Sequence, residues 1–274
     1  CARNRALRRA QCMRCSNKHH ESLGGDQQSM VDSCFVKRLL QHIDLTASEI
    51  ADIAELEREP VTFAPGQKLW EEGHKADYIC IVQDGWLMSE TVLEGGERQI
   101  LRFYFSGELI GTASIAYDHA TTTVRAVDEA QLCMFPRARL GELFARHPRL
   151  STLFYSLGML EVIDLNDRLR ALGRTDGKAR LAHLFLAIAE RLRVLTGPES
   201  TKLHVPLTQN DLADAVGLTA IHVNRLLKEM SSEGLIRRHR RELELLDEPA
   251  LRRIAQFRSR RQNIDLGWFP PAQN

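Results

Sequence analysis

Thr208-Gln-Asn-Asp-Leu-Ala-Asp-Ala-Val-Gly-Leu-Thr-Ala-Ile-His-Val-Asn-Arg-Leu-Leu-Lys-Glu-Met230 is the stretch on which the reading of this chain turns. Thr208 with Asp211 three residues on has the form of a capping box that opens a helix at Gln209. Ala213 is small where two helices must cross closely, and Gly217 stands where a tight turn needs positive φ. Thr219 can cap a second helix whose apolar side is Val223, Leu226 and Leu227, and Leu212 and Val216 complete a miniature core. A small residue, a glycine four later, a branched apolar residue six after that and a leucine three further is the pattern a helix-turn-helix imposes. A generic helical hairpin meets one or two of these conditions.

The outward side of the second helix carries Ile221, His222, Asn224, Arg225 and Lys228, side chains suited to base edges and phosphates in a major groove. Thr208 and Thr219, at the two helix starts, are placed in the same DNA-binding set. Gly234 then breaks the helix, and Leu235-Ile236 with Leu243-Glu244-Leu245 frames a hairpin tipped by Arg-His-Arg-Arg. Alone, such a run reads as a solvated charged surface. Beside a complete motif, Arg237, Arg238 and Arg240 read as the wing of a winged helix-turn-helix. The net charge of +1 over 274 residues excludes binding to nucleic acid by bulk charge, so contact must come from local patches. Further patches are Arg252, Arg253, Arg258, Arg260 and Arg261, and the N-terminal Arg3, Arg5, Arg8, Arg9 and Arg14.

Upstream, residues 60–136 change texture to short runs rich in Val, Ile, Phe and Tyr, punctuated at Pro65-Gly66, Glu72-Gly73, Asp84-Gly85, Gly95-Gly96 and Ser106-Gly107. Turns at that frequency indicate a barrel or jelly roll, with strands at Tyr78–Gln83, Trp86–Leu93, Gln99–Tyr104, Thr121–Ala126 and Gln131–Phe135. After Pro136 the pattern becomes helical. Leu150, Leu153, Leu157 and Leu160 form one row and Val162, Leu165, Leu169 and Leu172 a second, so one long helix needs two burying surfaces: its own roll and a partner's equivalent helix. Leu153, Leu157 and Leu160 are assigned to the dimer contact, and Gly173 and Gly177 are expected to end the helix. The fold class expected is α+β, in two domains each with its own core. The divisions are a basic cysteine-containing arm over 1–34, a β-roll sensor over 35–147, a dimerisation helix over 148–173, a winged helix-turn-helix over 178–263 and a tail over 264–274. Residues 35–58 supply one or two short helices, with Thr46 and Ser48 as candidate caps.

No run of about 18 apolar residues occurs, and the basic N-terminus lacks the apolar core of a secretory signal, so a cytoplasmic location is expected. The chain begins with Cys, and Met30 is a candidate start. Six cysteines, Cys1, Cys12, Cys15, Cys34, Cys80 and Cys133, are too sparse for a disulfide scaffold and read as reduced thiols or metal ligands. Cys12 and Cys15 with His19 or His20 could hold zinc. Cys133 could equally be a small apolar strand residue. Neither a Gly-x-Ser-x-Gly elbow, nor a Gly-Lys-Ser/Thr phosphate loop, nor a His-Glu-x-x-His helix is present, so no enzyme is expected.

The whole of 35–263 resembles the family of the catabolite activator protein and the fumarate-nitrate reduction regulator. The resemblance is carried by Pro65-Gly66-Gln67 with Glu72-Gly73, by Tyr-Ile-Cys-Ile-Val-Gln-Asp-Gly at 78–85, by Phe-Ser-Gly-Glu-Leu-Ile-Gly at 105–111 and by Leu-Thr-x-x-x-Val-Asn-Arg-Leu-Leu at 218–227. It implies a homodimeric transcription regulator bound to double-stranded DNA with two-fold-related half-sites, with RNA polymerase as a further partner and with Arg225 on a guanine. Where the fumarate-nitrate regulator has an acidic residue this chain has Ile221, so that regulator's half-site does not transfer. The resemblance offers two sensor chemistries. Members that bind a cyclic nucleotide follow the Gly-Glu-Leu loop, here Gly107-Glu108-Leu109, with an Arg-Ser/Thr pair, but Ala120 stands where the arginine belongs, which argues against cyclic AMP. The fumarate-nitrate regulator holds a 4Fe-4S cluster on three N-terminal cysteines and one in the roll, which points to Cys12, Cys15, Cys34 and Cys133. Cys34 departs from the pattern, lying nineteen residues after Cys15 where the family places its third ligand only a few residues on. The alternative is a β-roll regulatory module that answers a cyclic nucleotide or another small ligand.

Overall fold

The computed structural model describes residues 33–197, 200–260 and 268–270. The chain enters through helix α1 (Cys34–Leu39), capped by Ser33, whose hydroxyl accepts from Val36 N. Helix α2 (Ala47–Ala54) opens with a capping box in which Thr46 and Glu49 satisfy each other's main-chain N–H groups. A single 3-10 turn (Glu55–Glu57) leads into the roll.

The roll is built from β1 (Val61–Phe63), β2 (Lys68–Trp70), β3 (Tyr78–Asp84), β4 (Leu87–Val92), β5 (Arg98–Tyr104), β6 (Leu109–Ile110), β7 (Thr123–Ala126) and β8 (Ala130–Pro136). They form two antiparallel four-stranded sheets, in the orders β1-β8-β3-β6 and β2-β7-β4-β5. The five strands read from the sequence are all present, with ends displaced by one or two residues. Period-two alternation separates the faces of the first sheet. Cys80, Val82 and Leu132 point into the roll, whereas Ile79, Ile81, Cys133 and Phe135 point out toward a layer of helices. Ile81 lies opposite Cys133 and Cys80 opposite Met134, so the two cysteines are diagonal neighbours on opposite faces.

Helix α3 (Arg137–Arg146) leads to α4 (Pro148–Arg174), whose 27 residues span about 40 Å at 1.5 Å per residue. The two apolar rows do face two ways, with assignments different from those expected. Leu153 is fully buried in the chain's own apolar cluster, with residues of α1, β3, β8 and α3, and Leu157 packs on the same cluster. Of the three residues assigned to a dimer, only Leu160 lies outside that cluster, and it is half-buried. The uncovered stripe is Tyr155, Met159, Val162 and Leu169, with Asn166 exposed among them. Their spacing of four, three, four and three is that of a heptad seam. Gly173 does not end α4, which continues to Arg174. Gly177 opens α5 (Gly177–Thr196), because the Asp176 side chain accepts from Ala179 N and restarts the helix. A Cβ at Gly177 would stand 2.9 Å from Leu218 and 3.0 Å from Leu226, so glycine lets α5 approach the next motif closely.

The C-terminal unit follows as β9 (Lys202–His204), α6 (Gln209–Val216), α7 (Ala220–Ser232), β10 (Ile236–His239), β11 (Glu242–Leu245) and α8 (Glu248–Ala255), its strands ordered β10-β11-β9. Two apolar clusters are built from buried residues of α1, α2, the roll, α3 and α4, but the core of the C-terminal unit is not separate from the roll. One apolar cluster runs from Trp86, Met88, Ile100, Phe103 and Phe105 of the roll through α5 into Leu212, Val216, Val223 and Leu226.

Candidate nucleic-acid interface

The helix-turn-helix is α6 and α7. Thr208 Oγ1 accepts from Asp211 N at 3.1 Å while the Asp211 carboxylate accepts from Thr208 N at 2.9 Å, the reciprocal box anticipated from sequence. Gly217 caps α6 at φ 65, a conformation that costs a side-chain-bearing residue about 1–2 kcal/mol. Thr219 Oγ1 accepts from His222 N at 3.2 Å and starts α7. Val223, Leu226, Leu227 and Met230 are buried on one side of α7. On the other, Ile221 is 85% exposed, Arg225 and Lys228 are exposed, and His222 and Asn224 are half-exposed. Arg225 Nη2 lies 2.9 Å from His222 Nε2, one turn earlier. For that contact to be a hydrogen bond the imidazole nitrogen must accept, so an unprotonated Nε2 pre-orients the guanidinium toward solvent. Thr208 and Thr219 remain exposed while they cap.

The wing arginines do not act alike. Arg240 sits at the hairpin tip at φ 52 and is exposed, as is Arg241. Arg237 is exposed and paired with Glu244 at 2.8 Å. Arg238 turns inward: its guanidinium donates to the carbonyl of Leu207, and burial lowers its pKa. Through Nη2, Arg238 therefore braces the wing against the start of α6. Together Thr208, Gln209, Lys228, Ser231, Arg238, Arg240 and Arg241 line one groove between the wing and the start of α6. Gln209 enters it from the helix N-terminus, where free N–H groups and the dipole favour an anion.

In the roll, the residues a ligand would use are engaged within the chain. Glu108 of the Gly107-Glu108-Leu109 loop is buried and meets Arg38 of α1 at 3.1 Å, Arg191 of α5, and Arg102 of β5 at 3.9 Å. Burial alone would raise its pKa, but the three guanidiniums, Arg191 foremost, hold it down at about 2. Arg102 in turn makes a bidentate pair with Glu161 of α4 at 2.5 and 2.6 Å. Ala120 is 6% exposed, its N–H and carbonyl bound to His74 and Gly73. Sequence reasoning did not single out this hub, since a lone Arg on a strand or helix reads as surface and its carboxylate partner is not visible locally.

Cys12, Cys15, His19 and His20 lie outside the described residues. Cys34 is buried at the first position of α1, and Cys133 is fully buried. Cys133 Sγ donates to Glu57 O at 3.1 Å, and the Glu57 side chain accepts from Ser33 Oγ at 2.6 Å, so the point where the chain enters the roll is tied to this strand. Burial, then the Glu57 charge, pushes the Cys133 thiol up to about 11. Among the described residues no group of three or more His, Cys, Asp or Glu is placed to hold a metal. Nor is any described helix long and apolar enough to cross a membrane.

Residues 179–254 match the Crp-like helix-turn-helix domain family and residues 60–147 the cyclic nucleotide-binding domain family. The transcriptional regulatory protein btr of Bordetella pertussis is 26% identical over 222 residues, which cover 81% of this chain and 91% of that protein. The fumarate and nitrate reduction regulatory protein of Escherichia coli is 23% identical, over 74% of this chain and 81% of its own. Among solved structures, FixK2 from Bradyrhizobium japonicum superposes with a TM-score of 0.66 at 20% identity, over 73% of this chain and 98% of that one.

Proposed function

The chain belongs to the CRP/FNR family of transcription regulators, and from that premise we propose that it acts as a homodimer on duplex DNA with two-fold-related half-sites about one helical turn apart. The observation that carries this is α7: Ile221, Asn224, Arg225 and Lys228 stand out from a fully capped helix beside an exposed basic wing. Arg225, held by His222, is the residue we assign to a guanine. Thr208 and Gln209, with Arg237, Arg240 and Arg241, are assigned to phosphates. RNA polymerase is the further partner, the cytoplasm the site of action, and no catalytic role is assigned. The test is retention of duplexes from a random pool by the full chain. An inverted repeat is expected; a retained pool without sequence bias would sink the reading.

Dimerisation is assigned to Tyr155, Met159, Val162 and Leu169 of α4, in place of the Leu153 row. Asn166 within the seam favours one register between the two helices, as a buried polar residue does in coiled coils.

For the signal, the cysteine count supports a 4Fe-4S cluster on Cys12, Cys15, Cys34 and Cys133, which would supply an oxygen-labile group at the entry of the chain. The described residues by themselves do not fit it: Cys133 is fully buried with its thiol bonded to the Glu57 carbonyl, and no three ligating side chains are gathered among the described residues. Anaerobically purified protein decides the matter, since visible absorption lost in Cys133→Ser supports the cluster and a colourless wild type eliminates it. The second reading is a small ligand in the roll. A cyclic nucleotide is disfavoured by the buried Ala120 and by a Glu108 already committed to three arginines.

A further inference from the structure

Helix α6, the first of the helix-turn-helix, is held at both ends by side chains from the other half of the molecule. At its start, Arg98 of β5 reaches Asp211 Oδ1 at 2.7 Å and Asp214 Oδ2 at 2.6 Å, and Gln99 beside it donates to the Asp214 carbonyl at 2.6 Å. The same guanidinium meets Glu90 of β4 at 3.3 Å, and Glu90 also holds Arg125 of β7 at 2.8 Å. At the other end, Arg168 of α4 donates to the Ala215 carbonyl at 2.9 Å and, through the same head group, to the carbonyls of Ile100 and Leu101 in β5. Arg180 of α5 adds a contact to the Val216 carbonyl at 3.4 Å. The last carbonyls of a helix have no intrahelical donor and carry its negative pole, so guanidinium groups complement them.

Three features mark this grip as more than surface pairing. Asp211 is also the carboxylate of the capping box, so Arg98 holds the residue that starts the helix. Arg168 is a half-buried cation whose hydrogen bonds run to carbonyls of two different units, so one head group ties the end of α6 to β5. And with the grip closed, the apolar seam of α4 and the base-facing side of α7 are both uncovered: Leu169 is 69% and Ile221 85% exposed. Both surfaces a dimer needs on DNA are thus open in the same arrangement.

We propose that Arg98 and Arg168 are positioning residues for DNA binding, which set the angle of α6 and α7 against β5 and α4 so that the two recognition helices of a dimer engage two half-sites at once. They touch no DNA. The β4–β5 hairpin is then the part of the roll whose movement the reader feels, since Glu90, Arg98 and Gln99 all belong to it. This inference rests on the DNA-binding reading above and adds a route by which the roll acts on it.

The test compares two probes with the full-length protein: the inverted-repeat duplex that the wild type retains from a random pool, and a duplex carrying only one of its half-sites. A group that orients the domain affects simultaneous engagement and leaves a single half-site contact alone. Arg98→Gln and Arg168→Met are each expected to lose about tenfold or more on the two-half-site duplex, within the range that bivalent engagement supplies, and to change by less than about twofold on the half-site. Arg98→Lys, which keeps a cation opposite Asp211 and Asp214, should retain most of the affinity for the two-half-site duplex. Equal losses on both probes would make the arginines merely structural and overturn the proposal. So would unchanged affinity on both, or an Arg98→Lys that loses as much as Arg98→Gln. A wild type that retains no duplex at all overturns the DNA-binding reading itself, and the two failures are thereby distinguished.

Discussion

The winged helix and the β-roll both carry many charged side chains, and they spend them in opposite ways. Along the reading surface between Thr208 and Glu244, pairs form over short sequence distances, Thr208 with Asp211, His222 with Arg225 and Arg237 with Glu244, and Thr208, Arg225 and Arg237 remain open to solvent. In the roll they pair across the whole chain: Glu108 with Arg38 and Arg191, Arg102 with Glu161, Arg98 with Asp211 and Asp214. Local pairing leaves a surface free to read a ligand. Long-range pairing ties elements to one another, and in this molecule it ties the roll to the reader.

Breaking the long-range network should have the largest effect. Glu108→Gln leaves Arg38, Arg102 and Arg191 clustered around a neutral side chain, and loss of one member of a buried ion pair costs roughly 3–5 kcal/mol. Denaturant unfolding is the measurement, and a change under about 1 kcal/mol would mean that water screens the hub. The same group gives a pH signature. Its folded pKa, about 2, lies below the ordinary carboxylate value of 4.5, so its stabilisation is complete above about pH 4.5 and is lost as pH falls toward 2. The acid slope of stability in that window should flatten in Glu108→Gln.

The two faces of α4 sharpen the contrast further. Leu169→Glu places a charge on the uncovered seam and should weaken the dimer by on the order of 2 kcal/mol while leaving the monomer folded. Leu153→Ala, inside the chain's own core, should instead cost about 2–5 kcal/mol of fold stability. Sedimentation and thermal unfolding of both variants separate these outcomes, and an unchanged dimer in Leu169→Glu would remove α4 from the interface. The smallest effect belongs to local caps. Thr219→Ala should lower stability by about 1 kcal/mol through loss of the bond to His222 N, and Thr208→Ala by a similar amount.

What could be read in advance follows the same division. The cap at Thr46, the capping box at Thr208, the turn at Gly217 and the buried side of α7 announce themselves within a few residues, because each rests on near neighbours, and the five strands of the roll announce themselves by their local pattern and turns. Leu153 and Leu169 could not be assigned to their faces by periodicity, which finds two rows on a helix without telling which one meets the roll. Arg238 reads as a wing arginine until its reach to Leu207 is seen, and Gly177 reads as a helix end until the approach of Leu218 is seen. Arg98 and Arg168 give no sequence signal, since the groups of α6 that they hold lie between 47 and 116 residues away, and Glu108 is legible as part of its loop but not as the partner of Arg38 and Arg191.

The claim that the reader is local and exposed is tested most directly by the affinity of Arg225→Ala for the selected inverted repeat and for its single-base variants, measured at fixed salt. The account predicts a loss of about 1–3 kcal/mol with preference relaxed at one base pair in each half-site, and fold stability unchanged. An equal loss on every sequence, leaving the base preferences intact, would contradict it and reduce Arg225 to a phosphate contact.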